Sequence, residues 1–413
     1  MNSDVINLSP AERVALRHKY NLVQWEVVNI PDKWVHLAAS ILPWNGNEES
    51  DREILDNYFG LGRDIDRVKA DMNAQAARTG IDSLAGVAEY QAQLDDLKSK
   101  RNALRNEVEE IIESHISSAA REAGLDSRFG LVFPPTDIRL TDPPKVLIVS
   151  PRDGISRKYE VLLKADTSLE QSDAMEDRLK EDYNLSGLVV DIGGLATFPA
   201  CVVNTMPLRQ TLQVSAHEWL HHYIFFRPLG QNMFANGDMM TLNETFADMV
   251  GRELGDAAYL RLGGTIPQPV IEAPASTSTP AVSPVPAAFN YHKEMRATRE
   301  QVDTLLAEGR YLEAETYMEE RRQVFVARGY NIRKINQAFF AFFGTYAEGG
   351  ESSSPIGSQL ARLRMAIPDL QTFVKTMVGV KSYEEFEAIL EIAESGTLAQ
   401  ATTPSGSPTP GAK

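Results

Sequence analysis

Three of the seven histidines fall in one short run, His217-Glu218-Trp219-Leu220-His221-His222. This is an H-E-x-x-H pattern, and it constrains the fold because its chemistry requires a helix. On a helix, positions i and i+4 share one face, one turn apart. Two imidazoles so placed can hold one Zn²⁺, with Glu218 beside them to act on a water. The flanking residues predict that helix. Pro207 suits a first turn. Leu208, Leu212, Ser215, Trp219 and His222 recur at spacings of three or four, with no breaker before Pro228 and Gly230. The motif is therefore expected mid-helix, two turns or more from either end. His222 points about 100° away from His221 and reads as a packing or supporting residue rather than a ligand.

A hydrolytic zinc ion takes three protein ligands and keeps one position open. The metzincin extension fails, because Ile224 and Arg227 stand where that pattern needs glycine and histidine. Further on, the chain reads Asn243-Glu244-Thr245-Phe246-Ala247-Asp248. This segment resembles the N-E-x-x-[SA]-D helix of the gluzincins, the thermolysin-like zinc peptidases. The resemblance implies that Glu244 is the third ligand. It also implies that Asp248 orients a ligating imidazole, with Asn243 in the supporting shell. Without a metal, Thr241 and Glu244 also fit a helix-opening capping box.

Upstream, Val146–Val149, Tyr159–Leu163 and Leu188–Val190 are short β-type runs, followed by Ala196–Val203. The expected fold class is α+β: a zincin-type catalytic domain with a small mixed sheet, the H-E-x-x-H helix and the Glu-bearing helix, flanked by helical regions. In gluzincins the sheet edge beside the first zinc helix binds substrate by strand addition, and 195–203 is assigned to that edge. An ordinary last strand of a small sheet fits the same residues.

At 413 residues there is room for two or three domains. A net charge of −16 with no visible basic patch argues against nucleic acid. Cys201 is the single cysteine, which excludes an internal disulfide and reads as a small core residue. The longest obvious apolar run, Ala338–Phe343, is far short of a membrane span. The first residues lack a signal-peptide pattern. An extracytoplasmic bacterial location nonetheless fits if an N-terminal anchor has been lost, because 266–288 carry six prolines and the end is rich in Ser, Thr and Pro.

The domain expectation follows from these breaks: 1–128 helical, 129–265 catalytic, 266–288 linker, 289–397 helical, and 398–413 tail. Trp25, Trp34 and Trp44 lie in 11–58, read as short helices packing on something larger. Leu94, Leu97, Leu104, Val108 and Ile111 form a heptad-like seam, interrupted by Arg101 and His115. A hairpin packed in cis and self-association through 90–116 both fit it. Helices are predicted over 291–307, 311–329, 331–343, 355–365, 368–378 and 382–394.

Met295–Arg299, Glu315–Arg322 and Arg333–Ala338 with Thr345-Tyr346-Ala347 are similar to the helical tail of a bacterial family of aminopeptidase-like proteins. That family favours Asn-Asn-Ala where this chain has Asn336-Gln337-Ala338. The resemblances together imply a zinc metallopeptidase acting on a peptide or protein, with Glu218 as general base. The oxyanion donor would be Tyr346, with His292 and Tyr291 as the other candidates. Two other classes fit the residues: an inactive zincin-fold binding or assembly module, and a zinc hydrolase of non-peptide substrates.

Overall fold

The computed structural model describes residues 8–22, 48–79, 84–266 and 289–395. The three tryptophans of 25–44, nearly all of the proline-rich segment and the tail lie outside the described residues. The chain is mixed α and β. Helix α1 (Pro10–Ala15) is followed by two long helices, α2 (Glu48–Thr79) and α3 (Leu84–Glu122). A β-rich segment then holds β1 (Ile138–Thr141), β2 (Lys145–Pro151), β3 (Tyr159–Leu163), α4 (Leu169–Tyr183), β4 (Leu185–Asp191), β5 (Gly194–Leu195) and β6 (Ala200–Val203). Helices α5 (Leu208–Ile224), α6 (Pro228–Gln231) and α7 (Gly237–Arg261) follow. The last set is α8 (Tyr291–Ala307), α9 (Tyr311–Ala327), α10 (Gln337–Phe343), α11 (Ile356–Ala366), α12 (Leu370–Met377) and α13 (Tyr383–Glu394).

Among the described residues the strands form two three-stranded sheets rather than one. The first, in order β3-β2-β4, is antiparallel throughout. Its central run Val146-Leu147-Ile148-Val149 is buried on both faces, which explains a continuous apolar stretch instead of alternation. Val146 and Ile148 pack with α8–α10, while Leu147 and Val149 pack with α1 and α4. The second sheet has the order β1-β6-β5, with β1 parallel and β5 antiparallel to β6. The span 195–203 is therefore no single edge strand. It is a tight hairpin through Phe198-Pro199, and the edge is the short β5. Cys201 lies buried in β6, where burial pushes its thiol up to about 11.

The heptad seam closes inside the chain. Arg101 is buried over the Tyr58 ring, 5.2 Å from its centroid, and His115 Nε2 lies 3.2 Å from Asp51 Oδ2. The two residues that interrupt the seam thus meet partners on α2, and α2 and α3 form a hairpin in cis.

The helices of 289–397 do not share one core. Those of α8–α10 cover the first sheet, whereas α11–α13 join α2, α3, α5, α7, β1 and β6 in the largest apolar cluster. That cluster runs from Leu55 to Ala393 across the boundaries set from composition. The helix expected from residue 331 begins at Gln337, because Asn336 caps it by accepting from Phe339 N–H at 2.8 Å. Among the described residues no helix is long and apolar enough to cross a membrane.

Candidate metal centre

Helix α5 is held from its apolar side. Leu208, Leu212, Ala216, Trp219, Leu220 and Ile224 enter the largest cluster, and Trp219 Nε1 donates to the carbonyl of Pro134 at 2.8 Å. The helix stops at Ile224, with Arg227 N–H turning back to Ile224 O. His221 is therefore within one turn of the C-terminus, not two turns inside as the spacing predicted.

Helix α7 begins at Gly237, capped by Asn236, whose side chain accepts from Met239 N–H. Thr241 and Glu244 lie inside the helix, so the capping-box alternative fails. Gly251 and Gly255 then allow an unusually close crossing. A Cβ at 251 would sit 2.8 Å from the N and Cα of His217, and one at 255 would sit 2.5 Å from those of Gln213. At the same end Arg209 and Gln213 both bond Asp256, at 2.7–2.8 Å. The pairing of 213 with 255 and of 217 with 251 makes the helices antiparallel and carries Glu244 toward the two histidines.

The result is a three-donor cluster. His217 Nε2 and His221 Nε2 are 3.1 Å apart, and Glu244 Oε2 lies 3.6 Å and 3.7 Å from them. Atoms at about 2.0–2.1 Å from a tetrahedral zinc stand roughly 3.3–3.4 Å from one another. The donors therefore already stand at the spacing one such ion requires, and two imidazoles with one carboxylate is a hydrolytic zinc set. Burial alone would raise the Glu244 carboxyl, but the charges and hydrogen bonds of His221 and His217 hold it well below the usual range.

Glu218 occupies the neighbouring position on α5. Burial pushes its carboxyl up to about 8, opposed by His221 and aided by Glu244. The backbone of β5 runs directly over it: a Cβ at Gly194 would fall 2.3 Å from Glu218 Oε1. His222 packs edge-on against Phe198 at 5.9 Å, as expected of a supporting residue.

Tyr346 joins the cluster from the loop after α10. Its ring centroid lies 6.5 Å from that of His217. The Glu244 charge, then burial and Glu218, hold its phenol well above the ordinary value, so it remains a hydrogen-bond donor. The other two candidates face elsewhere. Tyr291 donates to Glu351 at 2.6 Å and packs edge-on against Phe325 and tilted against Tyr330, and His292 packs edge-on against Tyr291.

Asp248 and Asn243 depart from what the resemblance implied. Asp248 pairs with Arg252 Nη1 at 3.2 Å and, among the described residues, hydrogen-bonds neither imidazole. Asn243 is fully buried and donates to Leu229 O at 3.2 Å, bracing the turn at α6. Gly194, Gly251 and Gly255 shape the cluster without having been singled out by the motif. Only the G-x-x-x-G spacing of 251 and 255 is a signal readable beforehand.

Comparison of the chain with known protein families, curated proteins and solved structures found no match.

Proposed function

We infer that this chain is a zinc-dependent metallopeptidase with a zincin-type centre. The observation that carries the reading is the convergence of His217, His221 and Glu244 at zinc-ligand spacing, beside a buried Glu218. Zinc bound by these three residues would polarise the scissile carbonyl and acidify a water for attack. Glu218, buried beside the three donors on the same helix as the histidines, takes the proton of the attacking water and delivers it to the leaving amine. The Tyr346 phenol, kept protonated, donates to the oxyanion as it develops.

The second sheet supports a peptide substrate. Its β1 edge is sealed by α3, where Glu113 and Glu109 accept from Ile138 N–H and Leu140 N–H, each at 2.8 Å. The opposite edge, β5, lies over Glu218, where an extended peptide adding as a strand would bring its backbone to the base.

The test is metal analysis combined with digestion of a peptide library that includes N-terminally blocked members. We expect one zinc per chain and hydrolysis that Glu218→Gln abolishes while zinc is retained. Cleavage confined to free N-termini would make the enzyme an aminopeptidase. A zinc-loaded parent protein that cleaves no peptide refutes the reading. It leaves a binding module, or a hydrolase of other substrates that an ester and amide screen would reveal.

A further inference from the structure

The loop that carries Tyr346 is fastened to the residue next to a metal ligand. Thr245 follows Glu244 on α7 and is fully buried. Its Oγ1 donates to the Thr345 carbonyl at 3.3 Å and accepts from Ala347 N–H at 3.1 Å. These two bonds bracket Tyr346 on both sides. A threonine inside a helix commonly turns its hydroxyl back to the carbonyl one turn earlier, as Thr298 does to Glu294 O at 2.8 Å. Thr245 uses both its donor and its acceptor on the loop instead.

Other anchors hold the same loop, among them Arg296 of α8, which donates to Gly349 O at 3.2 Å. From the β2–β3 connection, Arg157 donates to Ala341 O, Phe342 O and Thr345 Oγ1, at 2.9–3.3 Å. On α7, Arg252 pairs with Glu348, but both side chains are about one-third exposed or more, and such a pair contributes little. Arg157 ties the loop to the first sheet. Among the described residues, Thr245 alone ties the backbone on either side of Tyr346 to the ligand-bearing helix.

We propose that Thr245 is a positioning residue that sets the Tyr346 phenol against the His217, His221 and Glu244 donors, an inference that rests on the peptidase reading. Movement of the loop would then displace the phenol relative to the reacting carbonyl without altering the zinc ligands. Misplacement of a catalytic group by about 1 Å costs rate far more than binding.

The experiment compares Thr245→Val, Thr245→Ser and Tyr346→Phe in the full chain. Amide hydrogen exchange at Ala347 reads the clamp directly, with or without zinc. We expect faster Ala347 exchange in T245V, kcat lower by about ten- to a hundred-fold with KM within about twofold, and unchanged zinc affinity. T245S, which keeps the hydroxyl, restores both exchange and kcat. In a Y346F background T245V causes no further loss, because both act through one group. Unchanged Ala347 exchange in T245V overturns the clamp, and a full additional kcat loss in the Y346F background overturns the positioning role. If the zinc-loaded parent cleaves no peptide, the peptidase reading fails and the catalytic half of this proposal fails with it. Exchange at Ala347 decides the structural half in either case.

Discussion

Substituting Gly251 with alanine tests whether the close crossing of α5 and α7 sets the metal centre. A Cβ at 251 falls 2.8 Å from His217 N and Cα and 2.9 Å from its Cβ. Ordinary contact begins near 3.4 Å, so the helices must part by about 0.6 Å at this point. The contacts are backbone on a packed helix, and no side chain can swing away to absorb them. Zinc–ligand distances tolerate roughly 0.2 Å, so the displacement exceeds what the donor triangle can take up. We therefore expect zinc affinity to fall by at least about tenfold, measured by competition with a chromogenic chelator. Stability should change less. Alanine adds about 1 kcal/mol of helix propensity, against roughly 1–3 kcal/mol for overpacking. Denaturant unfolding of the metal-free protein should thus shift by at most about 2 kcal/mol. Gly237→Ala is the control, since a Cβ there meets nothing within 4 Å on the same helix. If G251A binds zinc as tightly as the parent and is equally stable, the close approach is not what builds the site.

Other expectations follow from the same structure. In the metal-free chain Glu218 keeps its proton up to about pH 8, whereas an ordinary glutamate releases it near 4.5. The folded state binds more protons between these values, so this stability is complete below 4.5 and is lost as pH rises through about 8. Glu244 is shifted the other way, so its contribution is complete above 4.5 and is lost only as pH falls below that, and the two windows do not overlap. Chelator-treated parent should therefore lose stability relative to E218Q between about pH 4.5 and about pH 8, and parallel denaturation midpoints would contradict the assignment. In the hairpin, Ile111→Ala should cost about 2–5 kcal/mol in equilibrium unfolding, with an unchanged sedimentation coefficient. A change of oligomeric state in that variant would place the seam between chains instead.

The two candidate histidine donors were legible because their spacing is a property of one helix. His217 and His221 face together wherever 208–224 is helical, and the apolar residues at three and four demand that helix. Glu244 was legible only through its neighbours, and the helix cap at Asn236 removes its competing role. Asp248 could not be placed from the motif, because its partner depends on whether Arg252 or an imidazole comes within reach. Strand β1, four residues long, carries too short a pattern to distinguish from loop. Its existence depends on β6 and on the carboxylates of α3. The single sheet expected from the β-type runs divides at two junctions, Pro143-Pro144 between β1 and β2, where proline offers no N–H to a ladder, and Ile192-Gly193 between β4 and β5.

Local sequence alone determined the helix that carries the motif and the placing of two imidazoles on its one face, since these depend on contacts a few residues apart. Tertiary structure decided everything that needed two segments at one point. Gly251 brings α7 onto α5 and Gly194 lays β5 over Glu218. Thr245 joins the Tyr346 loop to the ligand helix across 100 residues of chain. Each of these depends on distance between backbones, which no pattern within one segment encodes.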